Sequence, residues 1–165
     1  MRDATRPDLD DVAAIYGHHA LHSIATFDLE PRPVATWERW WRERVVDGEY
    51  HLLVAELDDR VVGYATSDQF NVKPGYVTSV TTSVYVAADV VARGVGTALY
   101  QELFARLEAA DFHRAYAGIA QPNPASVALH ERFGFRHVAT YTEVGRKLGR
   151  WIDVTWYERP VPLSG

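Results

Sequence analysis

The stretch SVYVAADVVARGVGTALYQELF (residues 83–104) contains the most informative change of pattern in the sequence. It begins with residues typical of a strand, and leucines at helical spacing follow Gly94 and Gly96. Glycines let a backbone approach an anion closely, and the first N–H groups of a helix lack partners within the helix. Together with the positive end of the helix dipole, such a turn suits a pyrophosphate. Two glycines that only make a tight turn would give the same pattern, so these residues alone leave both interpretations open.

The glycine spacing does not match that of folds that bind nicotinamide dinucleotides. A full G-x-G-x-x-G would need glycine at the position of Leu99. No acidic residue follows about 20 residues later at the end of a strand, as such folds require. Pyrophosphate binding remains compatible with the segment, whereas nicotinamide binding is disfavoured.

Outward from this segment, hydrophobic periodicity predicts a series of helices and strands. Helices are predicted over residues 8–20, 33–46, 94–110 and 123–133, and strands over 51–57, 60–67, 76–86, 114–120, 135–142 and 150–159. Asp58 and Asp59 form the turn of a hairpin, and residues 28–33 form a loop. This order predicts one layered α+β or α/β domain over residues 1–165, with a mostly antiparallel sheet.

Composition excludes several classes of function. The 165 residues carry a formal net charge of −5 and no long basic run, which argues against nucleic acid as a partner. No cysteine is present, so disulfides, thiolate metal sites and a cysteine acyl-enzyme are excluded. No apolar run is long enough to span a membrane and no signal peptide is visible, so we expect a cytoplasmic protein without a membrane partner.

A second motif, AQPNPASVALHERFGF (residues 120–135), resembles the second half of the cofactor site of the GNAT superfamily of N-acetyltransferases. VARGVG (residues 91–96) resembles the acetyl-CoA loop of the same superfamily. The resemblance extends to the phosphinothricin and methionine sulfoximine N-acetyltransferases, through the following segments: AIYGHHALHSIATFDLEPR (14–32), VVGYA (61–65), SVYV (83–86) and VGRKLGRWIDV (144–154). It implies a three-layer α/β/α GNAT fold, a mixed, mostly antiparallel twisted sheet with about four helices, a homodimer, and acetyl-CoA as co-substrate with no metal.

The resemblance also implies which residues hold acetyl-CoA. Val91 departs from the family, which usually begins the loop with Gln or Arg. We expect this change to weaken cofactor binding without abolishing it, because backbone groups hold the phosphates. The residues implied to hold the cofactor are Val84, Tyr85, Val86, Ala92, Arg93, Gly94, Val95, Gly96, Thr97, Asn123 and Ser126.

The most important departure from the family concerns the general base. The subgroup's base is a glutamate four residues before the tyrosine of the SVYV strand, and Thr81 stands there in this sequence. Threonine cannot act as a general base. Three interpretations follow: another group or a relayed water replaces the base, the acceptor amine is of low basicity (a hydrazine or hydroxylamine), or the chain is a catalytically idle acyl-CoA sensor. Acetylation of a protein N-terminus or lysine is a further, less favoured, alternative.

His130 and Tyr85 are the predicted catalytic residues. His130 occupies the helix position at which many GNAT enzymes carry the tyrosine that protonates the departing thiolate, and histidine can either give or take a proton near neutral pH. A histidine packed inside the helix layer, and a strand tyrosine that only belongs to the core, are the structural alternatives. His18, His19 and His22 form a cluster in the first helix. Helical spacing puts only His18 and His22 on one face, with no third ligand evident, which favours a solvent-facing or pocket-lining role over a metal site.

The residues predicted to bind the acceptor are Thr26, Phe27, Lys73 and Thr81. Lys73, near Asn71, is expected to pair with an acidic group of the substrate, although a solvated loop lysine is an equal alternative. Lys147, Trp151 and Asp153 match a late family pattern and are expected to shape the dimer or the pocket floor. The predicted reaction is direct attack by a small amino-acid-like amine on acetyl-CoA in a ternary complex.

Overall fold

The computed structural model describes residues 1–90 and 94–162. Within these residues, seven strands form one mixed sheet in the order β1-β2-β3-β4-β5-β7-β6. The strands are β1 (Arg2–Asp3), β2 (Leu52–Leu57), β3 (Arg60–Gln69), β4 (Ser79–Val86), β5 (Arg114–Ala120), β6 (Arg136–Lys147) and β7 (Arg150–Pro160). Neighbouring strands are antiparallel except for β4 and β5, which are parallel.

Four α-helices complete the three layers in the same described ranges: α1 (Leu9–His22), α2 (Val34–Trp41), α3 (Val95–Glu108) and α4 (Pro124–Arg132). Helices α1 and α2 pack on one face of the sheet, in an apolar cluster around Leu52, Val54 and Tyr64. Helix α3 packs on the other face with Leu99, Leu103 and Leu107 fully buried, and α4 lies beside it. The predicted α/β/α layering and mostly antiparallel sheet are confirmed.

Several predicted boundaries are corrected. The strand predicted from residue 76 begins at Ser79, because Pro74–Tyr76 form a short 3₁₀ turn instead. The second helix ends at Trp41 and continues as a π-helical turn over Arg42–Val46. Strand β6 runs on to Lys147, past the predicted end at 142, after a register shift. The two-residue strand β1 was missed because so short a segment carries no periodic signal.

The hairpin turn follows the prediction closely. Asp58 and Asp59 both have positive φ, 51° and 59°. This conformation matches the right-handed twist of the flanking strands, and Asp tolerates it better than most residues.

Strands β4 and β5 separate in the middle of the sheet, and this separation positions the site. Their paired residues run from Ser79 with Arg114 to Thr81 with Tyr116. Beyond this point β4 continues to Val86 and β5 to Ala120 without pairing to each other. In the described part of the chain no helix is long and apolar enough to cross a membrane.

Candidate functional site

A cavity of about 300 Å³ lies where β4 and β5 have separated. One wall is formed by residues 82–86 of β4 and the other by residues 117–120 of β5, and Gly96 of α3 and the first turns of α4 close it. We call this cavity the cleft. Six of the residues predicted to hold the cofactor line it: Val84, Tyr85, Val86, Gly96, Asn123 and Ser126.

Backbone amides of β4 point into the cleft. The Phe70 N–H donates to the Ser79 carbonyl, and the Ala87 N–H donates to the Val62 carbonyl. The odd-numbered residues of β4 therefore direct their backbone N–H and C=O groups toward β3. Backbone groups alternate in direction along an antiparallel strand, which turns the N–H groups of Val84 and Val86 away from β3. Because β5 has already separated, these two amides are left for a ligand. Tyr85 instead uses its backbone within the β3–β4 ladder.

The N-terminus of α3 lies beside the cleft. Gly94 adopts φ +73°, and the first helical bond runs from the Ala98 N–H to the Gly94 carbonyl, 3.0 Å. The N–H groups of Val95, Gly96 and Thr97 therefore precede the helical ladder, as an anion site requires. The predicted phosphate residues Ala92 and Arg93, like Val91, lie outside the described residues.

Helix α4 begins at the opposite rim of the cleft. The Asn123 side-chain oxygen accepts the Ser126 N–H at 3.1 Å and caps the helix, and Pro124 occupies its first position. Asn123 and Ser126 thus serve the helix cap as well as the cleft wall.

His130 lies on α4 at the cleft wall, only 3% exposed. Its Nδ1 lies 2.7 Å from the Ser126 carbonyl, which identifies Nδ1 as the protonated nitrogen. Its Nε2 therefore accepts from the Tyr100 hydroxyl at 2.9 Å, and Thr82 Oγ1 lies 3.3 Å from that same hydroxyl. Burial lowers the pKa of His130 and raises the pKa of Tyr100, so both rings are neutral at neutral pH.

Tyr85 and His19 form the wall opposite α4. The Tyr85 hydroxyl donates to the Ala25 carbonyl at 3.2 Å, and burial raises its pKa. His19 Nε2 donates to the Val86 carbonyl at 2.9 Å, and burial lowers the pKa of His19. These bonds tie α1 and the segment that follows it to the end of β4.

A second cavity, of about 170 Å³, lies against the α1–α2 face of β3 and β4. Thr81, Ser83 and Tyr85 line it from β4, and Asp68 lines it from β3. Its other walls include Arg32 and aromatic side chains of α1 and α2. We call it the charged pocket, because Arg32 and Asp68 give it both a positive and a negative group.

Arg32 belongs to a network that holds the segment after α1. Its Nε donates to Asp28 at 2.6 Å, and its guanidinium carbon lies 4.8 Å from the centre of the Tyr16 ring. The Tyr16 hydroxyl lies 2.7 Å from both Asp28 and Thr26. Within the described residues the Nη1 and Nη2 atoms of Arg32 donate no hydrogen bond, and the side chain is 46% exposed.

A third cavity, of about 290 Å³, is lined by residues 24–27 after α1, by Thr81, Thr82 and Ser83, and by parts of β5 and β7. We call it the loop pocket. Predicted substrate residues Thr26, Phe27 and Thr81 all line it, and Ser83 lines all three cavities.

Two contacts hold the wall of the loop pocket in place. The buried Lys147 ammonium donates to the Thr26 carbonyl at 2.6 Å, and burial lowers the pKa of Lys147. The Phe27 ring lies so close to Gly145 that a Cβ there would overlap it. Trp151, from the same late pattern as Lys147, is 60% exposed, and Asp153 accepts the Glu143 N–H at 2.7 Å.

Lys73 lies on the exposed loop 71–78, and its backbone N–H donates to the Asn71 side chain. It lines none of these three cavities, and its predicted role in binding substrate stays a prediction. His18 and His22 are exposed, with ring centroids 5.0 Å apart. No group of three potential metal ligands occurs among the described residues.

Sequence reasoning missed Arg32, Asp68 and Tyr100. Arg32 ends the segment 14–32 that resembles the family, and this was its only signal. Asp68 and Tyr100 stand among ordinary strand and helix residues, and only the tertiary structure brings them to Thr81 and His130.

Comparison with known proteins gives concordant matches. Residues 1–156 match a family model described as an acetyltransferase (GNAT) domain. The chain is 50% identical to a phosphinothricin N-acetyltransferase of Streptomyces coelicolor over 98% of its own length and 95% of that protein. It is 33% identical to an L-methionine sulfoximine/L-methionine sulfone acetyltransferase of Pseudomonas aeruginosa, over 96% of this chain and 92% of that one.

Among solved structures, it resembles a GNAT superfamily phosphinothricin acetyltransferase of Sinorhizobium meliloti in complex with acetyl-CoA. The TM-score is 0.93 at 31% identity, over 97% of this chain and 86% of that chain.

Proposed function

This chain belongs to the GNAT acetyltransferase family, and from that membership we propose that it transfers an acetyl group from acetyl-CoA to the amino group of a small amino-acid-like molecule. One observation carries the proposal: the cleft shares Thr82 and Ser83 with the loop pocket and Ser83 with the charged pocket. An acceptor and a thioester can therefore meet at β4. The names of the relatives support an acceptor of the phosphinothricin or methionine sulfoximine type.

The backbone groups around the cleft support acetyl-CoA as its ligand. Amides of Val84 and Val86 would hold the pantetheine arm and the thioester, since both point into the cleft. The free N–H groups at the start of α3 would hold the pyrophosphate. Asn123 would contact the rest of the coenzyme. When bound, acetyl-CoA supplies the acetyl group as a reactive thioester.

We propose direct attack by the amine in a ternary complex. The chain contains no cysteine for an acyl-enzyme, and the adjoining cavities let both substrates be held at once. The chain must then remove a proton from the ammonium form of the acceptor and provide one to the leaving sulfur.

For the delivery of a proton to the leaving sulfur we propose His130 together with Tyr100. Thr82 and His130, at the two ends of this hydrogen-bonded chain, both line the cleft, and Tyr100 bridges them. Because burial keeps His130 neutral, the movable protons are those of the Thr82 and Tyr100 hydroxyls, and His130 Nε2 holds Tyr100 in place. The Thr82 O–H bond breaks as the S–H bond forms, and Tyr100 gives its proton to Thr82. The second proton that the acceptor nitrogen loses on becoming an amide returns to Tyr100 through solvent. Tyr85 would shape the wall between the cleft and the charged pocket.

We propose that Arg32 binds the acidic group of the acceptor. Its two NH2 groups suit a carboxylate or phosphinate, and it lies in the same pocket as Thr81. Thr26 and Phe27 would enclose the rest of the acceptor from the loop pocket.

The test is release of free coenzyme A thiol from acetyl-CoA with a panel of acceptors: L-phosphinothricin, L-methionine sulfoximine, L-methionine sulfone and ordinary L-amino acids. We expect steady release with at least one acceptor that carries both an amino and an acidic group. Calorimetry supplies the parallel measurement of acetyl-CoA binding. Binding without release from any acceptor would refute the enzyme and favour an idle acyl-CoA sensor, which the threonine at position 81 motivates.

We also propose a homodimer formed through the β6–β7 hairpin. Apolar side chains on this hairpin are at least half exposed: Val138, Tyr141, Val144, Leu148 and Trp151. A second copy would cover them, and β6 is an edge strand of the sheet. Light scattering of the purified protein measures the expected doubling of mass.

A further inference from the structure

We propose that Asp68 is the general base of the acetyl transfer and that it takes the role that Thr81 cannot fill. This inference rests on the proposed function, because it concerns the proton of the acceptor amine. The proposed base lies on β3, whereas the family resemblance led us to expect it on the neighbouring strand β4.

The register of the sheet places Asp68 directly beside Thr81. The two residues are Cα partners on the antiparallel strands β3 and β4. Side chains of directly opposite residues lie on the same face, with Cβ atoms about 5 Å apart. A carboxylate at position 68 therefore enters the same space as one at position 81, and both residues line the charged pocket.

Asp68 also differs in chemistry from the other residues that line these cavities. Of the described residues that line the cleft, the charged pocket and the loop pocket, it is the one that carries a carboxylate. Asp28, the nearest acidic residue of the Arg32 network, is already engaged by Tyr16 and Arg32.

Two hydrogen bonds orient the Asp68 carboxylate and leave part of it available. Oδ2 accepts the Trp40 Nε1–H at 2.8 Å, and Oδ1 accepts the Gln69 N–H at 2.7 Å. Arg44 lies 3.8 Å from Oδ1, and the side chain remains 34% exposed. A carboxylate offers about four acceptor sites, so at least one lone pair on each oxygen stays free for an ammonium group or a bridging water.

The proposed step is a proton transfer. A nitrogen–hydrogen bond of the ammonium breaks, its electron pair stays on nitrogen, and the proton forms an O–H bond on the Asp68 carboxylate or on a water held by it. The proton then leaves to solvent. Arg32, in the same pocket, would hold the acidic group and keep the nitrogen near Asp68.

The experiment compares wild type, Asp68→Asn, the double variant Asp68→Asn/Thr81→Glu, and the control Asp59→Asn at the exposed hairpin turn. Asparagine has nearly the same shape and keeps an oxygen for the Trp40 bond, while its NH2 group replaces the oxygen that accepts the Gln69 N–H. With the best amino acid from the acceptor panel, we expect Asp68→Asn to lower kcat by about 10² or more with unchanged acetyl-CoA affinity. The double variant should recover at least tenfold, and the control should match wild type.

A second acceptor distinguishes a base from a merely structural residue. The aminooxy analogue of the same amino acid is neutral at pH 7 and needs no base, so Asp68→Asn should acetylate it nearly as fast as wild type does.

Two results would overturn the assignment while leaving the proposed function intact: Asp68→Asn at the wild-type rate, or equal losses on both acceptors without recovery in the double variant. A wild-type protein without turnover on any acceptor would instead remove both proposals.

Discussion

Replacing His130 with alanine, alone and with Tyr100→Phe, separates the structural role of this histidine from its chemical role. His130 is 3% exposed, and its ring lies edge-on against Tyr100 and Phe135, with centroids 5.1 and 5.0 Å away. Removing the ring leaves a cavity, which costs about 2 kcal/mol, and leaves the buried Tyr100 hydroxyl without its histidine partner, which costs about 1 kcal/mol. We therefore expect the free energy of unfolding to fall by about 3 kcal/mol.

The size of the hydrogen-bond contribution follows from a double-mutant cycle. In a Tyr100→Phe background no hydroxyl loses its partner, so His130→Ala should cost about 1 kcal/mol less. The difference in unfolding free energy stays modest because the Tyr100 hydroxyl still has Thr82 Oγ1 as a partner at 3.3 Å after His130 is removed. Urea unfolding of the four proteins, followed by tryptophan fluorescence, measures the cycle. For a chain of this size, 3 kcal/mol corresponds to a Tm lower by about 6–12 °C.

Kinetics of the same variants test the chemistry. We expect His130→Ala to lower kcat by about 10² while acetyl-CoA affinity stays nearly unchanged, because the Tyr100 hydroxyl loses the partner that positions it for proton transfer to the sulfur. Equal stability costs in both backgrounds would refute the hydrogen-bonded arrangement. An unaltered turnover rate would refute the catalytic role, whatever the stability measurements show.

Three further predictions concern the acceptor site and the buried histidines. Arg32→Gln should raise the KM for an acidic amino-acid acceptor by about 10-fold or more with little change in acetyl-CoA affinity, because a charge-assisted pair is lost; an equal KM would contradict its role. Gly145→Ala should displace the Phe27 ring, destabilise the fold by about 1–3 kcal/mol and raise the acceptor KM, as denaturation and steady-state kinetics would show. The free energy of unfolding should fall as pH drops below about 6.5, because histidines in the unfolded chain then bind protons that the buried histidines of the folded state do not bind. Denaturation at pH 7.5 and pH 5.5 checks this, and equal free energies at the two pH values would contradict it. The histidines with a lowered pKa are His19, His51 and His130.

Much of the fold could be predicted because its signals are local. The hairpin around Asp58, strand β5 over residues 114–120 and the helix after Gly94 follow from periodicity and turn residues within short windows. The family resemblance rests on similarly compact motifs, and the comparisons confirm it. Boundaries failed where packing outweighs local pattern, as at Trp41, where α2 passes into a π-helical turn.

By itself, the sequence determined the family, the layered fold and the segment suited to a pyrophosphate, because each depends on the order of neighbouring residues. Only the tertiary structure decided which side chains share a cavity. The separation of β4 from β5, the register of Asp68 with Thr81 and the return of Arg32 over the sheet bring together residues far apart in the chain. Such contacts depend on strand pairing and loop path, and no local spacing encodes them.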